Sequence, residues 1–223
     1  MTPRLIISAD DYGYAPGYDR GILEAARAGA IDAASAMVLR RCDPAPLLDT
    51  GTEIGLHLEI GRDAPRAEAE HELGRQLLEF ERLFKRPPAF IDGHHHCHAM
   101  PHAAAVVAGA AAAAGIPVRS VSEGHRSLLR AEGVATPDLL VGRLGPEEPA
   151  RPAELDRLPG GVTEWMVHPG HADPAIGSAF DAEREEDLAL LLAFRLPEGV
   201  SRVRHSELLP TSVHGRDSGS TGS

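Results

Sequence analysis

Four short segments hold groups suited to hydrolytic chemistry. In "ISADDYG", Asp10 and Asp11 directly follow an apolar run. One carboxylate of such a pair can ligate a metal while its unligated neighbour takes a proton from water. In "EIGLHLEI", period-two alternation sets His57 and Glu59 on the face opposite Ile54, Leu56, Leu58 and Ile60. "FIDGHHHCHAMPH" places five of the chain's 12 histidines between Phe90 and His102, and "TEWMVHPGH" puts His168 at the end of a β-like run before a Pro-Gly turn pair. A carboxylate and two imidazoles leave open positions on a divalent cation, where water and a carbonyl can meet.

Each segment also has an ordinary reading. Aspartates start loops and cap helices, a histidine in a strand can be a satisfied core group, and histidine tracts collect metal adventitiously. If the strand stays regular through the run, His94, His96 and His98 face one side and His95 and Cys97 the other. Only one or two of them then reach a common metal with Asp11 and His57. Asp92 is close enough to hold the second nitrogen of a ligating imidazole. Glu164 either orients His168 or is solvated, and His171 and Asp173 read first as loop residues.

The elements that must position these groups are legible from period and punctuation. The β-rich runs "RLIISAD", "AASAMVLR", "EIGLHLEI", "AFIDGHHH", "VRSVS" and "TEWMVHPG" alternate with helical stretches, which indicates parallel β/α architecture. Leu73, Leu77, Phe80, Leu83 and Phe84 share one helical face, stopped by "RPP". "PHAAAVVAGAAAAAGIP" reads as a helix opening at Pro101 and capped by Gly115. "FDAEREEDLALLLAF" is a further helix and "SRVRHSELL" a weak strand. Asp10, Asp11, His57, His94 and His168 all fall toward the C-terminal ends of strands, the face on which parallel β/α folds assemble their sites.

Composition limits the partners. With 223 residues, 43% of them hydrophobic, the chain can bury one large core, and one-domain barrels commonly fill this length. We expect a single-domain β/α barrel over residues 1–209, TIM-like but distorted or incomplete, and a polar, disordered tail over 210–223. The net charge of −11 opposes nucleic acid as a partner. Two cysteines, a short apolar N-terminal run and no segment of membrane-spanning length lead us to expect a cytoplasmic protein without a membrane partner.

In order, "ISADDYG", "IGLHLE", "IDGHHHCHAMP" and "TEWMVHPGH" resemble the motifs of the YdjC-like carbohydrate deacetylase family, over roughly residues 4–190. The resemblance implies a barrel related to TIM barrels and metal-dependent removal of acetyl groups from N-acetylated amino sugars. By motif it assigns Asp11, His57 and His94 as metal ligands, Asp10 as base and His168 as acid. His96 lines the site, and Asp92, Glu164 and His171 are candidates for substrate or supporting contacts. It also implies one divalent ion, zinc or magnesium first, with nickel, cobalt and manganese as alternatives, a small carbohydrate substrate and a homodimer. The chain departs from the family in Cys97, in His171 and in a short connection between His57 and the histidine run. Two other readings stay open: another metallohydrolase, such as a phosphoesterase or cyclic amidohydrolase, and a non-catalytic metal-binding barrel. No Gly-rich phosphate loop or Arg/Lys cluster near the motifs favours the first, and an unligated Asp10 argues against the second.

Overall fold

The computed structural model describes residues 2–143, 148–173, 175–178 and 180–210. Apart from Pro210, the expected tail lies outside the described residues. Strands β1 (Pro3–Tyr12), β2 (Ala33–Ala36), β3 (Glu53–Leu58), β4 (Ile91–Gly93), β5 (Leu139–Gly142), β6 (Gly161–Val167) and β7 (Ser201–Arg202) form one sheet in which every pairing is parallel. Helices α1 (Pro16–Arg27), α2 (Pro44–Leu48), α3 (Arg66–Phe84), α4 (Ala104–Ala114), α5 (Glu123–Ala131) and α6 (Asp181–Ala193) complete it.

The strand order is β4-β3-β2-β1-β6-β5, with β7 added at the start of β1. Followed from β1 through β2, β3 and β4, the path continues to Val118, which makes a single parallel bridge to Ile91. From the other side it runs β1, β6, β5. This is the circular order of a barrel, interrupted between the Val118 segment and β5. There irregular backbone spans the gap: the Val118 N–H donates to Ala135 O at 3.0 Å, and Ser120 Oγ donates to Pro137 O at 3.0 Å. The fold is a curled, incomplete barrel. The expected strand "VRSVS" shrinks to that one bridge because its partner across the gap never becomes regular.

Helix boundaries follow local chemistry. The buried face of α3 includes Leu73, Phe80 and Phe84, and Lys85 ends the helix in the left-handed region at φ 57°. The α4 helix begins three residues after Pro101, at Ala104, and Gly115 closes it at φ 66°. Sequence periodicity did not single out α5, which Ser122 caps by accepting from the His125 N–H at 3.2 Å. No helix among the described residues is long and apolar enough to cross a membrane.

The register brings the strand ends to one rim. Ala9 pairs with Val167, Tyr12 with Ala36, His57 with Asp92 and Gly142 with Met166. Below the rim the barrel interior is partly polar, with Arg119, Glu164 and His205 fully buried. The His205 ring stacks on Phe90 at 3.8 Å, and Phe90 lies so close to Gly55 that a Cβ there would come within 2.5 Å of the ring. Glycine at 55 is therefore a packing requirement inside "IGLHLE".

Candidate active site

A regular strand would send Asp10 and Asp11 to opposite faces. The β1–β2 register shifts between Ala9 and Tyr12, and Asp11 sits at φ 76°, a left-handed conformation uncommon outside glycine. This irregularity lets both carboxylates border the same cavity. A second departure from regular backbone sorts the histidines. The β4 strand stops at Gly93, and His94–Ala99 form a tight helical turn in which His95 and His96 have φ of 51° and 56°. The alternation expected along the run is therefore absent. His94, His95 and His96 border the cavity, while His98 is buried with its Nε2 3.1 Å from Arg119 O.

Asp11, His57 and His94 offer ligand atoms close enough to hold one ion. Asp11 Oδ1 lies 3.2 Å from His57 Nε2 and 3.0 Å from His94 Nδ1. Ligand atoms about 2.1 Å from a shared cation would stand roughly 3.0 to 3.4 Å apart in octahedral or tetrahedral arrangements, so both spacings suit a metal. The other nitrogen of His57 is also held: Nδ1 is 2.8 Å from Asp92 Oδ1 and 3.0 Å from Ser35 Oγ. An Nδ1–H donated to Asp92 leaves Nε2 as the lone pair facing Asp11, the tautomer a ligand needs. Burial opposes charge on His57, but Asp92 and Asp11 outweigh it and raise its pKa well above the usual imidazole value. Asp10, His57 and Asp92 form a second, fully buried group with metal-ligand spacing. Arg119 already holds both of its carboxylates, so the first group is the better candidate.

Arg119 follows the Val118 bridge and escaped the sequence reading. Its Nη1 donates to Asp10 Oδ2 at 2.6 Å and its Nη2 to Asp10 Oδ1 at 2.8 Å, a bidentate pair. The same guanidinium contacts Asp92 Oδ2 at 3.0 Å and Glu164 Oε1 at 2.9 Å. Burial alone would raise the Asp10 pKa, but Arg119, with His57, holds it well below the ordinary carboxylate range. Glu164 is likewise lowered to about 2 against its burial, by Arg119 and His205. The signal available in sequence was a lone arginine after an apolar run, in "IPVRS", which nothing local distinguishes from a surface residue.

The remaining predicted residues separate. His168 borders the cavity, with Nε2 4.0 Å from Asp10 Oδ2 and its backbone N–H donating to Asp187 Oδ2 at 2.9 Å. Burial lowers its pKa, opposed by Asp10. Glu164 neither orients His168 nor meets solvent: it is fully buried and faces Arg119 and, at 3.3 Å, His205 Nε2. Parallel pairing aligns it with Ile6 well below the rim. His171 does not border the cavity; its Nε2 lies 3.1 Å from Glu24 Oε2 with the side chain 39% exposed. Asp173 accepts from the Gly17 N–H at 3.1 Å. Cys97 is buried with Sγ 3.0 Å from Leu58 O, and burial pushes its thiol up to about 12, which makes it a packing residue.

The cavity, about 380 Å³, is also bordered by Tyr14, Tyr18, Phe180, Arg143 and Arg184. The last two are far from the motifs in sequence, so the expected lack of clustered arginine holds for the chain but not for the fold. Each is paired: Arg143 Nη2 with Glu186 at 2.9 Å and Arg184 Nη2 with Asp11 Oδ2 at 2.5 Å.

Comparison with known proteins follows the same residues. The YdjC-like protein family matches residues 4–66 and 59–201. A carbohydrate deacetylase of Geobacillus stearothermophilus is 31% identical over 223 aligned residues, covering 86% of this chain and 90% of that protein. A chitooligosaccharide deacetylase of Serratia marcescens is 32% identical over 157 residues, but the match spans 53% of this chain and 60% of that relative. Among solved structures, an Enterococcus faecalis protein described as a candidate cellobiose-phosphate cleavage protein superposes with a TM-score of 0.79 at 22% identity, covering 94% of this chain and 100% of that one. A T48 deacetylase solved with substrate superposes at 0.52 and 14% identity, covering 93% and 90%. At these identities the superpositions establish the fold. The family match through most of the chain, joined to a relative covered over 90% of its length, shows that this chain belongs to the YdjC-like protein family.

Proposed function

We propose that this protein is a metal-dependent hydrolase that removes the acetyl group from an N-acetylated amino sugar. One observation carries the reading: a carboxylate and two imidazoles converge on one rim position, beside a second carboxylate that Arg119 keeps ionised. The names of the two curated relatives support the substrate class. A divalent ion held by Asp11, His57 and His94 would supply Lewis acidity toward the acetyl carbonyl and the attacking water.

The chain's own groups account for the proton transfers. Asp10 accepts the proton of the attacking water; its pairing with Arg119, with His57 nearby, overcomes its burial and keeps it unprotonated near neutral pH. Asp92 fixes the tautomer of His57. His168, across from Asp10, rests neutral because burial lowers its pKa. It takes up the proton that Asp10 accepted from the water and passes it to the departing amine, which leaves poorly without one. A cavity of about 380 Å³ bordered by Tyr14, Tyr18 and Phe180 suits one or two sugar rings.

Zinc and magnesium are the first candidates for the ion, with nickel, cobalt and manganese accepted by the same mixed O/N set. We place the protein in the cytoplasm as a homodimer. The unpaired Cys42 and Cys97 support a reducing compartment. The test is acetate release from N-acetylglucosamine oligomers after metal loading, run beside phosphate release from sugar phosphates. Acetate release that chelation removes and metal restores is expected, whereas phosphate release alone would replace this reading with the phosphoesterase one. For His168→Ala the loss should be greater on amide than on matched ester substrates, since an alkoxide leaves with less help; equal losses would remove His168 as the acid.

A further inference from the structure

We propose that Arg184 is a positioning residue that confines Asp11 to a single ligand oxygen, keeping one more position on the metal open for substrate. This rests on the metal reading of Asp11, His57 and His94. The two oxygens of Asp11 have different neighbours. Oδ1 faces the His57 and His94 nitrogens at 3.2 and 3.0 Å, while Oδ2 accepts from Arg184 Nη2 at 2.5 Å. A carboxylate beside a divalent cation can offer one oxygen or both. The second is withheld when a charge-assisted hydrogen bond occupies it, and a guanidinium neither loses its proton nor accepts a hydrogen bond.

Arg184 is built into the site from three directions. Its guanidinium carbon stacks 3.7 Å from the Tyr18 ring centroid. The Tyr18 hydroxyl donates at 2.8 Å to Asp181 Oδ1, in the first turn of the helix that carries Arg184. On the third side the backbone of Gly170 lies so close that an added Cβ would stand 3.2 Å from Arg184 Cδ, and the Gly170 N–H donates to Arg184 O at 3.1 Å. The side chain is 7% exposed, and its Nε and Nη1 have no acceptor among the described residues. The polar contact that such a placement secures is the one to Asp11 Oδ2.

The consequence is a matter of coordination number. One oxygen and two imidazoles take three positions, leaving one in a tetrahedral shell or more in a larger one. Amide hydrolysis at a metal needs places for both water and carbonyl, and a second Asp11 oxygen would compete for one of them. Arg184 would thus favour turnover while holding back metal affinity.

The test uses Co²⁺-loaded protein, because the visible absorption of Co²⁺ reports its coordination number. In Arg184→Gln the Co²⁺ bands should weaken as the coordination number rises, and the Co²⁺ dissociation constant in chelator competition should fall by about tenfold. On N-acetylglucosamine oligomers kcat should fall by about tenfold, with KM changed less than about threefold. Arg184→Lys, which keeps a cation at Oδ2, should restore the wild-type spectrum. An unchanged spectrum in Arg184→Gln overturns the proposal even if affinity rises, because loss of a nearby positive charge alone would tighten binding. A crystal structure of Co²⁺-loaded wild type with both Asp11 oxygens on the ion overturns it without any variant. Failure of the wild type to bind Co²⁺ would instead defeat the metal reading itself.

Discussion

His94 and His98 belong to one run, yet their rings occupy opposite surroundings. His94 lies against Asp11 Oδ1 at the cavity, with the His57 ring 5.5 Å away. His98 is fully buried beneath it, 5.4 Å from the His125 ring, and its Nδ1 and both His125 nitrogens lack a hydrogen-bond partner among the described residues. The first pair is surrounded by Asp10, Asp11 and Asp92, the second by Arg119 and other imidazoles. Burial, reinforced by His125 and Arg119, lowers the His98 pKa well below the usual value, whereas the carboxylates raise that of His57. Imidazoles alone do not make a cation site; the carboxylates that converge on them do.

The comparison breaks first at the ligands. Replacing His57 by Ala should remove tightly bound metal and bring acetate release below detection, while the protein still folds; metal analysis beside circular dichroism checks this. Full metal content in that variant would place the ion elsewhere. Next in size is Asp10→Asn, which keeps shape but removes the base: metal should persist while kcat falls by about 10²-fold to 10⁴-fold. Unchanged turnover with metal bound would end the base assignment.

A smaller effect is expected one contact farther out. Asp92→Asn should weaken metal affinity by about 10-fold to 100-fold, because His57 loses the acceptor that fixes its tautomer; chelator titration measures it. The smallest effect on activity belongs to the carboxylate-poor half. His98→Gln should leave metal content and turnover within a few-fold of wild type and show itself in the pH dependence of stability. A histidine kept neutral when folded binds its proton only on unfolding. Stability therefore falls as pH drops below about 6.5, by up to about 1.4 kcal/mol per pH unit. Removing His98 should flatten that slope in urea titrations between pH 6.5 and 5, and an unchanged slope would mean that His98 is already charged in the fold. The same sign applies in a lower pH window to Glu164, lowered to about 2: its contribution is complete above the usual glutamate pKa and is lost as pH falls toward 2.

Much of this arrangement was legible from residue order. Alternation of β-rich and helical runs determined a parallel sheet, and parallel connection puts the C-terminal strand ends on one rim. Asp10, Asp11, His57, His94 and His168 were therefore placed together before any contact was known. Glu164 was misread because strand periodicity gives a residue's face but not its depth, and two strand positions lower it meets Arg119 rather than the cavity. His171 is the loop residue its segment suggested, and the supporting or substrate contact implied by the resemblance is not seen, because a loop after Pro-Gly can turn either way.

Sequence by itself determined the parallel alternation of most elements, though not β5 or α5, together with the rim and the types of group gathered there, since these follow from local period and from the connectivity of parallel strands. Only the tertiary structure decided which atoms meet. The irregular backbone at Asp11 turned two adjacent carboxylates toward one cavity, and the left-handed His95 and His96 divided the histidine run between cavity and interior. The curl of the sheet brought Arg119 to Asp10 across 109 positions, and the packing of α6 beside α1 brought Arg184 to Asp11 across 173. Contacts at such separations depend on the closure of the whole fold, and no local stretch of chain encodes that.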